Sequence, residues 1–190
     1  MQSEKTAVLI MDYQNAIVDN YSGGDTELLP RAAKVLSSAR QANIPVIYVV
    51  IGFRPGYPEI SNDNKSFSAL RESGRFAFGD TASHIHPDVA PHEKDFIVTK
   101  HRVSAFSGSD LEMLLRANQI DSLVLMGIAT SGVVLSTLRY VADLDFKITV
   151  LKDCCADQDP QVQQCLLEKI FPRQADVMSS DEWISQLTEK

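Results

Sequence analysis

Short apolar runs alternate with stretches of helical spacing along the whole chain. Thr6 to Met11 (TAVLIM) is continuously apolar and predicts a buried first strand, broken abruptly by Asp12-Tyr13-Gln14-Asn15. The polar, glycine-containing segment Asp19 to Thr26 reads as a loop. From Leu28 to Ala42 the residues Leu29, Ala32, Ala33, Leu36 and Ala39 recur at helical spacing, and Pro30 is acceptable in the first turn. Asn43 ends that helix, and Pro45 to Ile51 (PVIYVVI) is a second, β-branched strand. Gly52 to Pro91 is irregular, with a helical pattern only near Ser66 to Glu72. It reads as a long crossover passing over one edge of the sheet.

Asp95 to Thr99 is a third strand, and Ser107 to Asp110 opens a helix through Leu111, Leu114 and Leu115. Ser109 is its expected N-cap, with Glu112 completing a capping box. Asp121 to Thr137 (DSLVLMGIATSGVVLST) predicts a buried strand, a tight turn at Gly127 and a capped helix reaching about Leu144. Lys147 to Leu151 is strand five, Pro160 starts a helix through Val162, Leu166 and Leu167, Ala175 to Met178 is a short last strand, and Asp181 to Leu187 a terminal helix. This alternation predicts an α/β fold: a three-layer α/β/α domain over residues 1–190 with a mostly parallel, Rossmann-like sheet of five or six strands.

Composition narrows the function classes. The net charge is −7 with no Lys/Arg run, which argues against nucleic acid or an anionic membrane surface as partner. No apolar run approaches the roughly 20 residues that span a bilayer. The start, MQSEKTAVLIMD, has a single Lys and runs straight into a strand, unlike a signal peptide. The three cysteines, Cys154, Cys155 and Cys165, have no metal-ligand spacing and fit a reduced, cytoplasmic chain. No glycine-rich dinucleotide fingerprint follows strand one, so no nucleotide cofactor is expected.

Residues just past each strand of a parallel sheet share one edge, where ligands bind. Three such places carry polar chemistry: Asp12 after strand one, Lys100 after strand three, and the Gly127–Val133 turn after strand four. Lys100 would hold Asp12 ionised, while desolvation would push the other way. The same pair could instead merely close the strand ends. Gln14 and Asn15 either hydrogen-bond a substrate or fix the turn, and Arg102 either neutralises a substrate carboxylate or pairs with surface acids. Phe53, Tyr57, Phe76, Phe78 and Phe106 are candidates for a pocket wall or for core.

Asp12-x-Gln14, Lys100-x-Arg102-x-Ser104-Ala105-Phe106, and Gly127-x-Ala129-Thr130 followed by Val134-x-x-Thr137 together resemble the isochorismatase-like, or cysteine hydrolase, superfamily over nearly the whole chain. The resemblance implies an Asp–Lys–Cys triad with Asp12 and Lys100 as its first two members. It also implies a non-proline cis peptide at Ile128–Ala129, oxyanion donors at the Ala129 and Val133 N–H groups, and a homodimer or larger assembly. Its members act on small molecules.

The chain departs from the family pattern where the nucleophile is expected, because position 133 is Val. An apolar side chain cannot attack a carbonyl. Ser131 and Thr130 lie close but have no His beside them in the turn, and Thr130 reads as a turn or cap residue. Cys154 and Cys155 follow strand five near the same edge. True isochorismatases are similar in lacking the Cys; they hydrolyse a vinyl ether with a general acid and water, a role Asp12 could take if its pKa is raised. Nicotinamidase-type metal binding is not expected, since Gly52 to Ser83 contains no His and His84-x-His86 runs into Pro87. The leading expectation is a cofactor-free hydrolase of a small anionic or carbonyl-bearing metabolite. The rival is a catalytically silent member that binds a small ligand or a protein partner.

Overall fold

β1 (Thr6–Met11), β2 (Val46–Ile51), β3 (Phe96–Lys100), β4 (Ser122–Ile128), β5 (Lys147–Ala156) and β6 (Asp176–Met178) form one sheet in the order β3-β2-β1-β4-β5-β6. Every neighbouring pair is parallel. The computed structural model describes residues 5–188, and residues 1–4 of the starting segment MQSEKTAVLIMD, expected not to be a signal peptide, lie outside the described residues. The chain builds outward from β1 to β3, then returns to β1's other side with β4, so the strand order reverses between β1 and β4. Crevices open at the carboxyl ends of strands at such a reversal.

The apolar runs are continuous because both faces of the central strands are covered. In β1, Ala7, Leu9 and Met11 pack with Leu111 and Leu115 of α4 (Leu111–Ala117) and with Leu138 and Val141 of α5 (Leu135–Ala142). Val8 and Ile10 face the opposite layer, made by α2 (Leu28–Gln41) and by Trp183 of α7 (Ser180–Thr188). The buried stripe of α2 is Leu28, Ala32, Val35, Leu36 and Ala39, while Leu29 and Ala33 sit at its margin. Gly127 is required by close approach: a Cβ there would lie 3.0 Å from Val134 Cγ2 and 3.1 Å from Met11 Cβ.

Several local expectations need correction. A helix, α1 (Asn15–Tyr21), runs into the segment read as a loop from Asp19; only Val18 on it is buried, too short an apolar signal to register. β5 continues well past Leu151 because it keeps pairing with β4 beyond a register shift between Leu125 and Gly127. The Ser109–Glu112 capping box does not form. Ser109 Oγ donates to Ala105 O at 2.6 Å, Asp110 takes the N-cap position, and Glu112 pairs with Arg116 at 2.9 Å. α6 (Pro160–Cys165) begins as expected, with Asp159 Oδ1 accepting from Gln161 N at 2.8 Å. Its last residues widen into a π-type turn, Leu166–Ile170.

The irregular crossover has its own small core of Ile51, Phe53, Ile60, Phe67 and Phe76, with α3 (Lys65–Ser73) supplying Phe67. Among the described residues no helix is long and apolar enough to cross a membrane.

Candidate active site

Asp12 is the first residue after β1 and adopts φ +60°, a left-handed conformation that Asp tolerates better than most side chains. Its N–H still donates to Val49 O at 2.8 Å, so the strand ladder ends on the residue that turns away from it. Lys100, the last residue of β3, reaches past the end of β2 to place Nζ 2.8 Å from Asp12 Oδ2. A second Lys100 hydrogen bond goes to Arg102 O at 3.1 Å. Both side chains are buried, with Asp12 at 5% and Lys100 at 2% exposure. Burial raises the Asp12 pKa above the ordinary carboxyl value, and the Lys100 ammonium only partly opposes this. Among the described residues Asp12 Oδ1 has no hydrogen-bond partner.

Across the strand-order reversal, β4 ends in a cis peptide bond between Ile128 and Ala129. A π-type turn, Thr130–Val134, then leads into α5. Thr130 is fully buried and its Oγ1 has no partner. The Ser131 N–H, at the head of the turn, donates to Asp157 Oδ2 at 2.7 Å.

A cavity of about 250 Å³ lies between these elements. Asp12, Lys100, Ile128, Ala129, Gly132 and Val133 form its base, and Phe67, Leu70, Phe76 and Val103 belong to its wall. α1 closes another side with Ala16, Ile17, Asn20 and Tyr21. A wider groove of about 460 Å³ lies beside α6, but its ionisable side chains, Lys152 and Glu168, are solvent-exposed, unlike the buried Asp12–Lys100 pair.

Not every expected residue reaches the cavity. The Gln14 amide is spent on main chain: Nε2 donates to Ile51 O (2.9 Å) and Ser83 O (2.6 Å), and Oε1 accepts from Ile51 N (2.8 Å). It ties the start of α1 to the end of β2 and to the crossover, leaving no polar hydrogen for a ligand. Arg102 donates to His101 O at 2.6 Å and Glu59 O at 2.8 Å and lies 5.7 Å over the Phe67 ring, behind the cavity wall. Phe106 packs on Tyr140 at 4.7 Å between ring centres. Of the five aromatic wall candidates, Phe76 lines the cavity. The residues that sequence reasoning missed are Phe67, Val103 and the α1 face; the Ile17/Tyr21 spacing, one helical turn apart, was the available signal for α1.

None of the three cysteines lines the cavity. Cys154 faces the α2 layer and Cys155 the α5 layer, and burial pushes the Cys155 thiol up to about 12. His84 and His86 are held in the crossover's main-chain network, through Asn15 N to His84 O and His86 N to Tyr13 O, each at 2.9 Å. Among the described residues no group of three or more His, Cys, Asp or Glu side chains is arranged to hold a metal.

The family model described as an isochorismatase domain matches residues 6–182. The chain belongs to the isochorismatase family. It is 30% identical over 184 residues to an uncharacterized isochorismatase family protein, YwoC, of Bacillus subtilis (strain 168), covering 97% of this chain and 95% of that one. It is 32% identical over 188 residues to the ureidoacrylate amidohydrolase RutB of Stutzerimonas stutzeri (strain A1501), covering 86% and 75%. A cysteine hydrolase from Pseudomonas syringae pv. phaseolicola 1448A has the same fold, with a TM-score of 0.89 at 22% identity over 97% of this chain and 93% of that one. This isochorismatase-family member has the three-layer α/β architecture expected from its strand and helix pattern.

Proposed function

We propose that this family member hydrolyses a small metabolite without a cysteine nucleophile, using Asp12 as general acid/base and Lys100 as its electrostatic partner. The observation that carries the reading is the split environment of the Asp12 carboxyl: Oδ2 is held by Lys100, while buried Oδ1 is unpartnered in a residue that lines the cavity. Because Lys100 donates to Oδ2, a proton on this carboxyl belongs on Oδ1. The raised pKa favours that protonated form.

For an enol ether the balanced reaction is an acid-catalysed hydration. Asp12 Oδ1–H gives its proton to the terminal alkene carbon, and the electron pair of the ether oxygen moves in to form an oxocarbenium ion. Water then adds to the oxygen-bearing carbon of that ion and loses a proton to Asp12, which restores the acid. The resulting hemiketal breaks its C–O bond to release an alcohol and a carbonyl compound. Lys100 stabilises Asp12 while it is ionised. The cis Ile128–Ala129 segment and the Val133 N–H are the proposed polar contacts for substrate oxygen, with Thr130 behind them.

Val133 supports the nucleophile-free route. It is buried, lines the cavity, and stands where the family resemblance puts the thiol. The same side chain also favours a second reading, a silent member that binds a ligand, because its methyl groups narrow the space beside Asp12. The hydrolase reading takes a small molecule as partner, the silent reading a small ligand or a protein, and the expected homodimer or larger assembly is checked by molar mass in solution.

The test is hydrolysis of a panel of isochorismate, nicotinamide and small carbamoyl compounds by wild type, Asp12→Asn and Val133→Cys. Turnover by wild type that vanishes in Asp12→Asn and survives thiol alkylation is the expected result. Silence in wild type, with amidase activity in Val133→Cys, would replace it with the binding reading.

A further inference from the structure

We infer that this cavity selects an uncharged substrate with an apolar body over a carboxylate-bearing one, an inference that rests on reading the cavity as the hydrolase site. The cations near it are committed. Lys100, the cation that lines it among the described residues, holds Asp12 Oδ2 at 2.8 Å and Arg102 O at 3.1 Å. Arg102 itself is turned to the main-chain oxygens of His101 and Glu59 and does not line the cavity.

One N–H at the head of the turn after β4 already holds an anion, since the Asp157 carboxylate accepts from Ser131 N at 2.7 Å. The wall is mostly apolar, with Phe67, Leu70, Phe76, Val103, Ile128 and Val133, and its further polar side chains, Asn20 and Tyr21 of α1, bring an amide and a phenol but no cation. A carboxylate drawn into that wall would shed its water without gaining a counter-charge of its own, and an unpaired ion in apolar surroundings is far costlier than a neutral group of the same shape. The fitting ligand class is a neutral aryl or branched-alkyl group bearing one enol-ether or carbonyl function, its heteroatom side toward Asp12.

Two matched pairs of probes test this: phenyl vinyl ether against 4-vinyloxybenzoate, and benzamide against 4-carbamoylbenzoate. Binding is read from methyl chemical shifts of Val103, Ile128 and Val133, independently of turnover. The expected result is that each neutral probe binds at least about tenfold tighter than its carboxylate twin. Val103→Lys, which sets an ammonium on the half-open rim, should narrow that preference by about tenfold. Equal or tighter binding of the carboxylate probes overturns the inference, as does an unchanged preference in Val103→Lys or a lack of shifts with all four compounds. Neutral binding without turnover of any probe or panel compound would sink the hydrolase reading and leave the selectivity standing.

Discussion

Asp12 Oδ2 accepts from Lys100 Nζ at 2.8 Å, while Asp12 Oδ1 is buried without a partner. The two oxygens of one carboxyl group are thereby made unequal, and the ammonium that steadies one leaves the other as the seat of any proton. The directions of the pKa influences give this relationship a measurable consequence.

If Asp12 acts as an acid, kcat/KM falls as pH rises through its raised pKa. Lys100→Met removes both the charge and the hydrogen bond that lower that pKa, so the falling limb should move to higher pH. Stability depends on pH through the same group. A carboxyl whose folded pKa exceeds its unfolded value contributes stability that is full below the unfolded pKa and is lost as pH rises through the folded one. The destabilisation of Lys100→Met should therefore grow with pH, to about 3 kcal/mol at neutrality. Urea titrations across the pH range and a pH–rate profile check both arms, and an unmoved limb would remove Asp12 from the rate equation.

Gln14→Leu leaves Ile51 N, Ile51 O and Ser83 O without the amide that joins them. The expected loss is about 3 kcal/mol, since buried polar groups then lack partners. Gln14→Glu should fare little better, because a carboxylate cannot donate to the two carbonyls. Denaturant midpoints measure this; a loss of activity with unchanged stability would instead point to ligand contact.

Thr137 Oγ1 accepts from Ala105 N at 3.1 Å and is fully buried, so it fastens the loop after β3 to α5. Thr137→Val keeps the shape and orphans Ala105 N, at an expected cost of about 1–2 kcal/mol. Because that loop carries Val103 and follows Lys100 directly, KM should rise as well. Thr137→Ser, which keeps the hydroxyl, should restore most of both.

The strands were legible because each central run is buried on two sides and is apolar at every position, a pattern that needs no knowledge of neighbours. Asp12 was legible because it follows such a run, and Lys100 because it ends a shorter edge strand, β3, and parallel strands bring their ends to one edge. α1 was not, since a helix of seven residues with Val18 as its buried residue carries little periodic signal. The Ser109 capping box failed because the helix starts one residue later than the spacing suggests, with Asp110 at the N-cap, so Ser109 and Glu112 fall out of the N-cap and N3 positions.

The sequence by itself determined the parallel α/β sheet, the pairing of an acid with an amine at its carboxyl edge, and a valine in the turn that follows β4. These depend on residue type and local spacing. Only the tertiary structure decided that Gln14 is a main-chain tether, that Arg102 turns away from the cavity, that Asp157 caps the turn at Ser131, and that Phe67 and Val103 wall the site. Each of those outcomes is a choice among hydrogen-bond acceptors or packing partners far apart in sequence, and such choices are settled by distance and burial in the folded chain.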